Sequence, residues 1–101
     1  MIKVTRVFIE NSHHLSCEFN NNEVRLLDVL PIIEKHKHLN GVSSLFNEDT
    51  FAKVEVGDFG ELTWRGIVIT ENNGITTCWD YDISPEFAYA NSEHIINNKT
   101  A

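Results

Sequence analysis

The stretch from Gly74 to Tyr89 constrains the fold most, because its pattern changes period in the middle. Ile75, Thr77 and Trp79 alternate with Thr76 and Cys78. β-Branched and aromatic residues at a period of two predict a strand with one buried face. Ser84-Pro85-Glu86 then predicts a helix start. A serine hydroxyl can accept from a free backbone N–H, proline at the first helical position loses no hydrogen bond, and a carboxylate suits the positive end of the helix dipole. Phe87, Ala88 and Tyr89 follow, so the helix is expected to lay an aromatic side on the sheet. Trp79, Tyr81, Phe87 and Tyr89 fall within eleven residues. They read first as a core corner, with Trp79 buried in it. The alternative is an interaction surface made of Trp79, Asp80, Tyr81, Asp82, Glu86 and Tyr89.

The rest of the chain supplies partners for that corner. Ile2–Glu10 predicts a first strand with apolar residues on both faces, and so an element covered on both sides or used for dimerisation. Leu15, Cys17 and Phe19 alternate with polar residues in a second strand, and Asn20-Asn21-Asn22 turns the chain into a third, Glu23–Val29. Leu30–His36 predicts one or two helical turns with Pro31 near the start, and Ser44–Asp49 another short turn. Phe51–Val56 predicts a fourth strand with Ala52, Val54 and Val56 inward. Glu61–Thr70 predicts a fifth, with a bend at Gly66. Asn73-Gly74, a strong short hairpin signal, joins it to the opening stretch. The sum is α+β: five or six mostly antiparallel strands in a curved sheet with two or three short helices. One domain is expected over 1–97, with a frayed tail over 98–101.

Charge bears on partners. Eight Lys and Arg against fifteen Asp and Glu leave a net charge of −7. That disfavours direct contact with nucleic acid or an anionic membrane and suits a basic partner. No apolar run approaches the roughly 18 residues a membrane helix needs, and the N-terminus has no signal-peptide pattern, so a cytoplasmic location is expected.

Candidate chemistry is sparse. Cys17 and Cys78 lie far apart, each in a strand pattern, and read as buried thiols rather than a redox or zinc pair. Neither His13-His14 nor His36 and His38 have a spacing that metal sites use, so no metal or cofactor is expected. No serine stands in a nucleophile-elbow context and no phosphate loop occurs. Asp28 and Asp82 read as helix-start or turn residues. No catalytic residue is assigned. Carboxylates near the Trp79–Glu86 corner leave a small-ligand site or a minor enzyme as the alternative to an interaction module.

Several landmarks, taken in order, resemble one family of small bacterial domains of unknown function, DUF 2442. They are Leu15 and Phe19, Asn21-Asn22-Glu23 and Asp28 in the first hairpin, Leu45 and Phe51 with Val54 and Val56 in the middle, and Trp79 with Asp82-Ile83-Ser84-Pro85-Glu86 and Tyr89 at the close. The segment between Val56 and Trp79 is longer than the family pattern, as if a hairpin had been added, so Trp64 competes with Trp79 for the family tryptophan. The resemblance implies an α+β domain with a curved antiparallel sheet. It also implies gene neighbourhoods that look like toxin–antitoxin pairs, hence a regulatory, antitoxin-like partner of a small basic protein. Independently of the resemblance, the edge strands of a small antiparallel sheet recruit partners, so a homodimer through a sheet edge is the other expectation. It carries no catalytic residues.

Overall fold

A computed structural model describes residues 1–95. The expected tail over 98–101, and the last two residues of the expected domain, lie outside them.

Among the described residues, seven strands and three short helices follow in order as β1 (Val4–Asn11), β2 (His14–Phe19), β3 (Val24–Asp28), α1 (Leu30–His36), α2 (Glu48–Phe51), β4 (Glu55–Val56), β5 (Leu62–Asn72), β6 (Ile75–Ile83), α3 (Pro85–Ala90) and β7 (Glu93–His94). A 3-10 turn, Val42–Phe46, precedes α2. The fold is α+β, as the sequence predicts, but the strands form two sheets rather than one. The first has the order β1-β2-β3-β7 and the second β4-β5-β6. Every pairing described is antiparallel.

The core lies between the sheets and under the helices. Leu15, Cys17, Phe19 and Leu27 come from the first sheet, Leu62, Trp64, Tyr81 and Ile83 from the second. Ile32 and Ile33 of α1, Leu45 of the 3-10 turn, Phe51 of α2 and Ala88 of α3 close it. Trp64 is fully buried, and its Nε1–H donates to the Phe51 carbonyl at 2.8 Å. The indole therefore enters the core without leaving its one donor unpaired.

Three expectations need correction. Residues 51–56 do not form one strand. Asn47 caps α2, its side chain accepting from the Asp49 and Thr50 amides, and Glu48 and Asp49 occupy the first turn. That start carries Phe51 into a helix, leaves Ala52 exposed and shortens β4 to two residues. A cap followed by two acids is a helix signal, and it outweighs the alternation of Ala52, Val54 and Val56. The first strand is not covered on both sides. β1 is an edge strand with Phe8 and Ile9 exposed and the Arg6 guanidinium stacked over the Phe8 ring. Finally, Glu93-His94 adds β7 beside β3, which the polar sequence after α3 does not announce.

Candidate functional site

The site residues lie along β5, β6 and α3. Asn73 and Gly74 form the two-residue turn between β5 and β6, with φ of 53° and 80°. Both lie in the left-handed region that the hairpin turn with strand-matching twist requires. From that turn the strands pair in register, Asn72 with Ile75 through Val68 with Trp79. The register then shifts before Trp64 meets Tyr81. Gly66 stands in the shift with φ of +66°, and the Asp80 carboxylate accepts from its amide at 3.0 Å. A left-handed residue inside a strand pair is a bulge, and a bulge re-aims what lies beyond it.

The shift divides the hairpin in two. On the near side Trp64 and Tyr81 are buried. Beyond it Ile67, Val68 and Ile69 are half-buried, where the loop at Asn40-Gly41 lies against β5. The Ile69 amide donates to the Asn40 carbonyl at 2.9 Å. A Cβ on Gly41 would come within 2.0 Å of the Ile67 carbonyl oxygen, so only glycine lets loop and strand approach this closely. Past that seam nothing among the described residues covers the hairpin. Every residue from Thr70 to Asp80 is exposed, so the tip is a two-stranded arm.

Trp79 stands on this arm, 56% exposed, with its Nε1–H donating to Thr70 Oγ1 at 2.8 Å. The expectation of a buried Trp79 is therefore corrected, and so is that of a buried Cys78, which is exposed. The alternation of Ile75, Thr77 and Trp79 is real, but the core ends before their face does. Cys17 is the buried thiol, and burial pushes its pKa up to about 12.

The other predicted site residues separate. Tyr81 points into the core, where burial raises its pKa, and its hydroxyl shares a 2.6 Å hydrogen bond with His36 Nδ1. Asp82 is a strand residue rather than a cap. It pairs with Thr63 across β5–β6 and accepts from the Thr63 hydroxyl. Ser84 is the cap of α3, accepting from the Phe87 amide at 3.1 Å. Glu86 is exposed in the first turn of α3. Tyr89 belongs to a different cluster, against β2 and β3. Its hydroxyl donates to Glu23 Oε2 at 2.6 Å, and the Arg25 guanidinium lies 4.4 Å above its ring. Arg25 also donates to Ser92 Oγ at 2.9 Å and to the Ser92 carbonyl at 2.7 Å. Hydrogen bonds from Tyr89 and then Arg25 hold the Glu23 carboxyl below its ordinary range. This cluster ties α3 to β3. Glu23 and Arg25, two apart at the β3 end and hence on one face, are the sequence signal for it.

Phe87 does not lie on the sheet; it is exposed between α3 and α1. Beside it an open cleft of about 400 Å³ is lined by Ile32, His36, Tyr81, Asp82, Ser84 and Phe87. Among the described residues no three His, Cys, Asp or Glu side chains are placed to hold a metal ion. His13 is buried against Phe51 and donates from Nε2 to the Leu45 carbonyl at 2.8 Å. Among the described residues no helix is long and apolar enough to cross a membrane.

Comparison with known proteins adds no likeness: no family, no curated protein and no solved structure matches this chain.

Proposed function

We propose that the protein is a non-catalytic protein-interaction module whose binding element is the β5–β6 arm. One observation carries the reading: eleven consecutive residues, Thr70–Asp80, are exposed, and they include the apolar Ile75 and Trp79. A two-stranded ribbon is marginal in water unless something lies against it. An exposed tryptophan on such a ribbon is the residue type that anchors protein interfaces. From Ile67 to Asp82 the only charges are Glu71, Asp80 and Asp82, on a chain of net charge −7. That balance favours a basic partner and supports an antitoxin-like, regulatory role beside a small basic protein. The test is a pull-down from the native host with two baits: the wild-type chain, and a variant with Ile75→Thr and Trp79→Thr, which removes both exposed apolar anchors and keeps the turn. A stoichiometric basic protein held by the first and lost by the second supports the reading. Equal capture by both baits overturns the role of the arm.

The cleft beside Phe87 favours a second reading, a small-ligand site. His36, Tyr81 and Asp82 bring polar groups to an apolar floor of Ile32 and Phe87. Fragment screening by NMR tests it, with His36 and Phe87 signals as the readout. Absence of any shift there removes it.

A further inference from the structure

The two sheets have unlike edges. β1 carries Arg6, ion-paired with Glu18 and stacked on Phe8, and the Lys3 amide at its start is held by the Asn20 side chain. On the opposite side of the second sheet, β5 is covered by β4 and by the loop at Asn40. Among the described residues β6 has no such cover. It is the outer strand of its sheet, and Ile75–Trp79 contains no charge and no proline. Natural edge strands are normally guarded by charge, proline, a bulge or brevity. Here the bulge sits at the base, at Gly66, and leaves the outer five residues regular.

We propose that this edge pairs with the same edge of a second copy, antiparallel about a two-fold axis at Thr77. The proposal rests on the arm being the binding element; it places a second copy along the uncharged β6 edge and leaves the faces of the arm to a basic partner. A two-fold axis normal to the sheet keeps each side chain on its own face, so the two chains must align with one residue opposite itself. With Thr77 on the axis, Ile75 of one copy faces Trp79 of the other, twice, and Thr76 faces Cys78. Aromatic against β-branched is the favoured kind of cross-strand pair. Val68 already opposes Trp79 within the arm, so one row runs Val68, Trp79, Ile75 across both chains. Asp80 meets Gly74 at the turn, and no carboxylate opposes another. Moving the axis to Asp80 would set the two Asp80 carboxylates against each other. Moving it to Cys78 would put Ile75 against Tyr81, which is buried in its own core. The register at Thr77 is the one that matches apolar to apolar and keeps charge apart. It also turns two marginal ribbons into one four-stranded sheet. A hydrogen-bonded Asn72–Ile75 pair at the turn leaves the Thr76 and Cys78 amides facing outward, so they supply the joining bonds.

Sedimentation equilibrium and cysteine trapping test this. The wild-type chain should reach twice its 11.6 kDa mass as concentration rises. Thr76→Lys with Cys78→Lys sets lysines opposite one another and should weaken the dimer at least about tenfold, with an unchanged circular dichroism spectrum. Thr77→Cys in a Cys78→Ser background should form a disulfide-linked dimer under mild oxidation, because self-opposed residues lie within disulfide reach. A wild-type chain still monomeric at roughly millimolar concentration overturns the self-pairing and leaves the interaction reading to the two-bait pull-down. A dimer indifferent to the lysines, or one that Thr77→Cys does not trap, overturns this edge and register.

Discussion

Trp64 and Trp79 stand on neighbouring strands of one hairpin, and each donates its indole N–H at 2.8 Å. One is fully buried; the other is more than half exposed. Both sit in period-two patterns of apolar residues. What separates them is the bulge at Gly66 and the seam at Asn40-Gly41. Before these the hairpin is the floor of a core; beyond them it is a ribbon in solvent. Alternation specifies which way a side chain points, and a second layer of structure decides whether anything is there to meet it.

The sharpest way to break this contrast is to truncate each tryptophan. Trp64→Ala should cost about 4 kcal/mol, since it opens a cavity against Phe51 and Tyr81 and leaves the Phe51 carbonyl only its longer bond from the Val54 amide, at 3.3 Å. Urea denaturation measures it. A loss below about 1 kcal/mol would mean that the core does not depend on this indole. Gly41→Ala should cost about 2 kcal/mol or more, because the new Cβ meets the Ile67 backbone at a positive φ. Faster amide exchange at Ile69 should accompany the loss, as the seam between body and arm opens. Trp79→Ala, studied at concentrations where the chain is monomeric, should cost less than about 1 kcal/mol. A loss as large as that of Trp64 would place a covering element over the arm. The thiols sharpen the same contrast: at pH 8, one equivalent, Cys78, should react with a maleimide at once, and Cys17 only on unfolding.

The smallest effect belongs to the Glu23 cluster. Its carboxyl is held below the ordinary 4.5 by Tyr89 and Arg25. The unfolded chain therefore takes up the proton first. The contribution is whole above the unfolded value and fades as pH falls through the folded one. Glu23→Gln should flatten the acid limb of the melting-temperature profile and leave Trp79 fluorescence unchanged. An acid limb identical to wild type would show that the cluster does not couple to folding.

Much of the fold is legible in local chemistry. Asn73-Gly74 states its hairpin, Ser84-Pro85 its helix start, and Pro31 the start of α1, where Asp28 Oδ1 accepts from the Leu30 amide at 3.2 Å. These signals act over a few residues, so one chain suffices to read them. The division into two sheets, the addition of β7 and the exposure of Trp79 depend on residues far apart in sequence. Arg25 and Ser92, for example, are separated by 67 positions. The candidate site was legible in part: Trp79 and Asp80 are on the arm, while Tyr81 faces inward and Tyr89 serves a different cluster. Asn73-Gly74 marks the hairpin of the arm, but no local signal marks where its cover ends.

The turn at Asn73-Gly74 also has a consequence in time. A hairpin closed by two residues forms from local contacts, within roughly 1–10 μs. β7 must find β3 across most of the chain, and such closures are slow. The arm is therefore expected to zip early and to present Trp64 opposite Tyr81 before the first sheet is complete. On that ordering, a turn substitution such as Gly74→Val slows refolding while leaving the unfolding rate of the body nearly unchanged.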